Sequence, residues 1–131
     1  MTYEAVKIEL TNGTGNPRRF TCADSALTKG VLLKLTDPRT CAAVAAEGDV
    51  IAGIASMDKV VDGSLAISLW TDGIFEMHAS GAIAVGAPVK AAGADSHVKA
   101  LLGTEASGAA CIGYALETAA DKETLAVRVR L

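Results

Sequence analysis

The sequence has few of the residues from which reactive sites are built. Among 131 residues there are two histidines and three cysteines, and aromatic side chains make up 4%. Cys22, Cys41 and Cys111 are far apart and odd in number, and no pair of them has the close spacing of a zinc site. We therefore expect reduced thiols that act as small hydrophobic side chains, and no disulfide framework.

The chain also lacks a strong charge of one sign and a long apolar run. Its formal net charge is −3 and its isoelectric point is about 5.3. Nucleic-acid-binding proteins usually carry a basic stripe, whereas the basic clusters here are Arg18-Arg19 and the alternating Arg128 and Arg130. The apolar runs are too short to span a membrane, and the start of the chain does not resemble a secretory signal. We expect a cytosolic site of synthesis and no nucleic-acid or membrane partner.

Half of the residues are nevertheless hydrophobic, which is enough for the core of one domain. Because aromatic side chains are rare, that core must be built from small and β-branched residues. Such a core gives modest stability to a monomer, and our hypothesis is that oligomerisation supplies further burial.

The most informative feature present is an internal repeat. Three segments of the first half have echoes in the second half: Gly48–Ala55 in Gly108–Ala115, Ser64–Leu69 in Thr124–Val129, and Gly30–Lys34 in Gly86–Lys90. The differing spacing indicates a longer loop in the second copy, between Ala91 and Ser107. A repeat of short strands builds a pseudo-symmetric scaffold and carries no chemistry of its own.

Alternating apolar and polar residues predict short strands in both copies. The strand candidates are Val6–Leu10, Phe20–Cys22, Gly30–Leu35, Val50–Met57, Leu65–Leu69, Ala82–Val85, Pro88–Lys90, Ala110–Leu116 and Leu125–Leu131. Cys41–Ala46 fits either a strand or a helical turn. Asp72-Gly73 fits either a hairpin or a bend after which the strand resumes at Ile74.

The predicted fold class is all-β: a small β-barrel or sandwich built from an internally duplicated set of short strands. We expect an N-terminal strand and flexible loop over residues 1–19, followed by a body over residues 20–131. The body contains two pseudo-repeats, at about 26–71 and 82–131.

Motifs that suggest chemistry have simpler explanations. Asp95-Ser96-His97 holds the residue types of a catalytic triad, but triad members converge from separate parts of a fold, so a polar loop fits better. Lys7 resembles the lysine of biotin-carrying domains, but it lies near the start of the chain and fits a strand. Aspartates near turns are typical of backbone capping, with a bound cation as the alternative. We predict no catalytic, cofactor-binding or metal-binding residues and no enzymatic activity.

Three stretches, Gly48–Ala55, Asp62–Met77 and Gly81–Lys90, resemble the capsid cement (head decoration) proteins of tailed bacteriophages. The similarity extends over about Gly30–Leu131. It lies in the order and spacing of these short motifs more than in invariant side chains. The resemblance implies a small β-barrel protein on the outer surface of an icosahedral head. It further implies that this protein clamps the expanded shell, with the major capsid protein and its own copies, as a homotrimer, for partners.

On this basis we expect the protein on the outer capsid surface of the virion, and in the host cytoplasm during assembly. The N-terminal strand is the candidate capsid contact, through Thr2, Tyr3, Glu4, Val6 and Ile8. It precedes the repeated body and is followed by a flexible loop. We expect it to leave its own barrel and add to a capsid sheet edge through its main chain.

The glycines Gly53 and Gly113 are the candidate trimer seam, because small residues allow close backbone approach. Two alternatives remain. A non-viral β-barrel module that binds carbohydrate or protein should cluster its aromatic side chains on one exposed face. A small enzyme should gather His78 or His97 with carboxylates in a cleft.

Overall fold

The computed structural model describes residues 5–9, 18–23, 25–93, 96–101 and 110–131. Within these ranges the chain forms strands and turns and no helix, which confirms the predicted all-β fold class. The strands are β1 (Val6–Glu9), β2 (Arg18–Cys22), β3 (Leu32–Asp37), β4 (Thr40–Ala43), β5 (Ile51–Ala55), β6 (Ala66–Trp70), β7 (Asp72–His78), β8 (Pro88–Ala91), β9 (Val98–Ala100), β10 (Gly113–Ala115) and β11 (Thr124–Arg130).

The first copy of the repeat lies in a closed five-stranded barrel with the strand order β2-β4-β3-β5-β6. β2 runs parallel to β4, and the other neighbours pair antiparallel. The barrel has a small apolar interior, formed by Cys22, Val31, Leu33, Cys41, Ala52, Ala55, Ile67 and Leu69. These side chains are mostly small or β-branched, as expected from a sequence with few aromatic residues.

The second copy lies in a six-stranded antiparallel sheet with the order β1-β7-β11-β10-β8-β9. One face of this sheet packs against the outside of the barrel. The two layers share one core, which includes Leu32, Ile54 and Trp70 from the barrel and Phe75, Met77, Val89, Leu125, Val127 and Val129 from the sheet. The alternation of Leu125, Val127 and Val129 with Ala126 and Arg128 therefore marks a strand with one buried face, as predicted.

The chain changes from barrel to sheet at Thr71. β6 ends at Trp70 and β7 begins at Asp72, and the two strands belong to different sheets. The hairpin considered for Asp72-Gly73 is therefore wrong. Gly73 lies within β7 with a φ of 135°, a value that side-chain-bearing residues rarely adopt.

Strand pairing shows which conformation two further segments adopt. Residues 40–43 form strand β4, so the strand interpretation of Cys41–Ala46 holds for its first part. Residues 82–85 do not form a strand, and Ile83 makes an isolated bridge with Ala119. The apolar residues of this segment predict a strand. In the structure Ile83 is buried, and its backbone N–H and carbonyl are both bonded to Ala119 alone.

The two copies have matching hydrogen-bonded partners. Leu33 opposite Gly53 corresponds to Val89 opposite Gly113, and the bridge Leu27–Lys59 corresponds to Ile83–Ala119. The pairing of the Ser64–Leu69 segment differs by two residues from that of its echo. Ala55 pairs with Leu69, whereas Ala115 pairs with Val127 and not with Val129. This shift conserves the face on which each side chain lies.

The loop between β4 and β5 joins the barrel to the sheet. Glu47 accepts from Lys99 Nζ at 2.9 Å and from Lys90 Nζ at 3.2 Å, and the Lys90 side chain is only 9% exposed. The backbone N–H of Gly48 donates to the Ala91 carbonyl at 3.0 Å. On another side of the junction, the Leu32 N–H donates to the Ser96 hydroxyl oxygen at 3.1 Å.

We expect Glu47→Gln to lower the thermal unfolding midpoint at neutral pH, because Lys90 then loses the carboxylate that compensates its buried charge. Hydrogen bonds from Lys99 and then from Lys90 lower the pKa of Glu47. Its ionised form therefore stabilises the fold above its unfolded pKa, and this contribution is lost as the pH falls through the lower folded pKa. The difference from wild type should shrink in acid.

Fluorescence of Trp70, the one tryptophan in the chain, reports on this junction and can follow unfolding. Asp37→Asn is the control, because Asp37 is an exposed carboxylate on barrel strand β3. A midpoint for Glu47→Gln equal to wild type, or a difference that is the same at neutral and acid pH, would contradict this role of Glu47.

Candidate interaction surface

The N-terminal strand β1 lies at one edge of the six-stranded sheet. It pairs antiparallel with β7, with Val6 opposite Glu76. Val6 and Ile8 are 57% and 55% exposed, so the apolar residues that predict a half-buried strand point into solvent. Of the other candidate capsid contacts, Thr2, Tyr3 and Glu4 lie outside the described residues.

Contacts with the barrel hold β1 in place. The Ala5 N–H donates to the Gly30 carbonyl at 2.7 Å. Lys7 Nζ lies 5.3 Å from the centroid of the Trp70 ring, a cation–π contact. The register with β7 shifts between Lys7 and Glu9, and such a bulge twists an edge strand.

Gly53 and Gly113, the candidate seam residues, are both buried against strands of their own chain. A Cβ on Gly53 would lie 2.8 Å from Leu69 Cβ and from the Trp70 carbonyl oxygen. A Cβ on Gly113 would meet the carbonyl of Arg128 in the neighbouring strand β11. The close approach that these glycines permit is therefore found between strands within one chain.

Among the described residues, no other element covers the face of the sheet that points away from the barrel. Pro88, Tyr114 and Arg128 lie opposite one another across β8, β10 and β11, and Arg128 is opposite Ile74 of β7. Tyr114 is 51% exposed. Sequence reasoning missed this surface, because it depends on the pairing of Tyr114 with Pro88 and Arg128 in the neighbouring strands.

A cleft of about 440 Å³ lies on the barrel, lined by Arg19, Phe20, Thr21, Arg39, Ser64, Leu65 and Ala66. Arg39 Nη2 donates to the Arg19 carbonyl at 2.7 Å, and the guanidinium lies 5.9 Å from the Phe20 ring centroid. These lining residues include cations and hydroxyls but no histidine or carboxylate. Among the described lining residues, no acid and base are therefore brought together for proton transfer.

The two histidines lie together rather than isolated at the surface. The ring centroids of His78 and His97 are 6.0 Å apart, and both residues are half-buried. Among the described residues no three His, Cys, Asp or Glu side chains are placed to hold a metal ion. Ser96, between Asp95 and His97 in the sequence, is buried and bonds to the Leu32 N–H, whereas Asp95 lies outside the described residues.

The thiols belong to the barrel core or lie close to the surface of the sheet. Cys22 and Cys41 are buried and sit opposite each other on β2 and β4, while Cys111 is half-buried. Burial, and then the neighbouring Cys22, raises the pKa of Cys41 to about 11. Cys41 is therefore a protonated, unreactive thiol at neutral pH.

The aromatic side chains that the structure describes do not form the exposed cluster expected of a carbohydrate-binding module. Trp70 and Phe75 are buried together, with ring centroids 5.7 Å apart. Phe20 is half-buried beside the arginine cleft, Tyr114 lies on the open sheet face, and Tyr3 is outside the described residues. The described part of the chain also contains no helix long and apolar enough to cross a membrane.

Comparison with known proteins bears on the role of these surfaces. A protein-family model described as phage cement protein matches residues 13–131. The fold is similar to the solved structure of the head fiber N base of bacteriophage phi29, with a TM-score of 0.56 and 16% sequence identity over 87% of this chain and 92% of that one. No curated protein matches the sequence. The family match confirms the resemblance found in the sequence.

We expect Gly113→Ala to lower the free energy of unfolding by about 1–3 kcal/mol, because the new Cβ would meet a backbone carbonyl that cannot move away. Gly93→Ala is the matched control: Gly93 has open space around its Cβ position, so its effect should stay within about 0.5 kcal/mol. Urea unfolding measures both. Equal midpoints for the two variants would show that the approach of β10 to β11 is not tight.

Proposed function

Because this chain belongs to the phage cement protein family, we propose that it binds the outer surface of the phage head and stabilises the expanded capsid shell. Its partner in this role is the major capsid protein. The observation that carries the proposal is the position of β1, an edge strand whose apolar side chains Val6 and Ile8 point into solvent.

An exposed edge strand invites pairing with another chain. Its unpaired backbone N–H and C=O groups form a template for β-sheet addition, and alternate side chains fill pockets on the partner. β1 uses one edge to pair with β7, and its other edge is open among the described residues. We propose that this second edge accepts a strand of the capsid subunit, so that β1 binds without leaving its own sheet.

The proposed assembly is a homotrimer that spans neighbouring capsid subunits. A single copy needs only an interface of ordinary size, because three linked copies gain affinity from their high effective concentration. Such multivalent binding would clamp neighbouring subunits to one another. A seam at Gly53 and Gly113 remains a proposal, and a bulky substitution at either site would disturb the chain itself before it disturbed a trimer.

The charge and chemistry of the described surface support a structural role on the outside of the shell. The net charge of −3 suits a surface that does not meet packaged DNA, and the arginine cleft lacks an acid–base pair. We therefore propose a virion protein of the outer capsid surface that is neither an enzyme nor a cofactor carrier, and that is present in the host cytoplasm during assembly.

Adding the purified protein to expanded heads that lack it should raise the temperature at which those heads release their DNA. The physical reason is mass action: a ligand that binds only the intact shell stabilises it. Fluorescence of a DNA-binding dye during heating measures release, and the same expanded heads without added protein serve as the control. Unchanged release temperatures at saturating protein would contradict the stabilising role.

The double variant Val6→Lys with Ile8→Lys should bind expanded heads at least about tenfold more weakly, because two exposed apolar contacts of β1 are lost. Its matched control is Val60→Lys with Val61→Lys, two loop residues that are 63% and 68% exposed. Cosedimentation with heads measures binding. If both double variants bind as wild type does, or if deletion of residues 1–10 leaves affinity unchanged, β1 is not the capsid contact.

A further inference from the structure

The repeat allows each surface of the second copy to be compared with its counterpart in the first. In the barrel, Leu32, Ile54 and Trp70 lie opposite one another across β3, β5 and β6 and form a row on the outside of the barrel. All three are buried, and they belong to the core that the barrel shares with the sheet. The first copy therefore presents a face that the second copy covers.

The corresponding row in the second copy is Pro88, Tyr114 and Arg128, paired in the same order across β8, β10 and β11. In the first copy the row is covered, whereas in the second copy Tyr114 and Arg128 are exposed. Leu116, two residues after Tyr114 in the chain, is 43% exposed. We call the surface formed by Ile74, Pro88, Tyr114, Leu116, Ala126 and Arg128 the outer sheet face.

The outer sheet face cannot be covered in the way that the first copy is covered. The layer that covers the barrel is the apolar inner face of the sheet, and that face is already used within the chain. The outer sheet face is also less apolar than the row it corresponds to. It has a tyrosine and an arginine where the barrel has isoleucine and tryptophan, and these two residue types are enriched at the centres of protein interfaces.

The charges around the outer sheet face favour a second copy of the same surface. Glu76 lies opposite Ala126, and Asp72 lies opposite Arg130, so β7 and β11 carry two carboxylates and two guanidinium groups (those of Arg128 and Arg130) among the apolar residues. At the other end of the same face, Lys90 and Lys99 are paired with Glu47. A surface that carries both charges can meet two further copies of itself around the threefold axis of the proposed trimer without net repulsion. A partner of strong charge of one sign would leave half of these groups opposed to a like charge.

We propose that the outer sheet face is the contact between copies of this chain, with Tyr114 at its centre. The inference rests on the self-association part of the proposed function and names the surface responsible for it. β10 and the edge strand β1 are separated by β11 and β7, which places them about 14 Å apart at the usual strand spacing. Val6 lies on the same face as Tyr114, because it is opposite Glu76 and Glu76 is opposite Ala126. A strand added to the open edge of β1 lies in the plane of the sheet, so the same molecule can bind a capsid strand at that edge and a copy through the face around Tyr114.

The test is the oligomeric state of the purified protein without heads, measured by sedimentation equilibrium. Wild type should be oligomeric, and Tyr114→Lys with Leu116→Lys should raise the dissociation constant at least about thirtyfold, since a central tyrosine is lost and like charges meet. Tyr114→Phe keeps the ring and should associate nearly as wild type does. Val60→Lys with Val61→Lys adds the same charges elsewhere and should leave association unchanged.

Circular dichroism and Trp70 fluorescence establish that each variant is folded. A monomeric wild type, or a folded Tyr114→Lys and Leu116→Lys variant that associates as wild type does, overturns the proposal. It is also overturned if that variant remains oligomeric but no longer binds heads, because the outer sheet face would then contact the capsid. Failure of wild type to bind heads would reject the proposed function while leaving the measured self-association intact.

Discussion

The structure depends on the burial of one sheet face against the outside of the barrel. Leu32, Ile54 and Trp70 on the barrel meet Phe75 and Val127 on the sheet, and this shared core includes most of the largest fully buried side chains. Since the chain has few aromatic residues, no single side chain can supply much of the burial. Two layers built from small and β-branched residues must therefore fit closely. Gly53 and Gly113 make this possible by letting neighbouring strands approach one another.

That constraint also decides which surfaces remain open. A sheet of six strands has two faces and two edges, and the barrel covers one face only. Because the described strands β2 to β6 close into a barrel, that barrel has no free edge, whereas the sheet that contains the second copy ends at β1 on one side and β9 on the other. The exposed strand edge and the outer sheet face both belong to the layer that contains the second copy. The outer surface of the first copy is thus buried within the chain, whereas the corresponding surface of the second copy is exposed.

The sequence predicted those strands that can be recognised from the alternation of their own residues. β11 was predictable because Leu125, Val127 and Val129 alternate with polar or small residues and the strand has one core face. The change of sheet at Thr71 was not, because the local signal of Asp72-Gly73 is the same for a hairpin and for a strand that enters another sheet. The exposure of Val6 and Ile8 was likewise out of reach. Alternation shows that a strand has an apolar face, but not whether any other element covers it.

The same distinction, between what the local sequence shows and what depends on distant elements, applies to the candidate surfaces. The prediction of β1 as a contact strand used its place before the repeat, and its location at a sheet edge with exposed apolar residues supports that proposal. Tyr114 could be recognised only through the pairing of β8, β10 and β11, since its counterpart Ile54 is buried and the sequences around them are similar. Likeness in sequence between the two copies conceals the difference in what covers them.

A cryo-electron-microscopy reconstruction of expanded heads saturated with this protein tests the central claim most directly, that an inert β scaffold stabilises the shell through its open edge and face. The account predicts density on the outside of the shell, with β1 against a capsid subunit and Tyr114 against another copy. Density on the inner surface, or copies bound singly with both β1 and the outer sheet face in solvent, would contradict it.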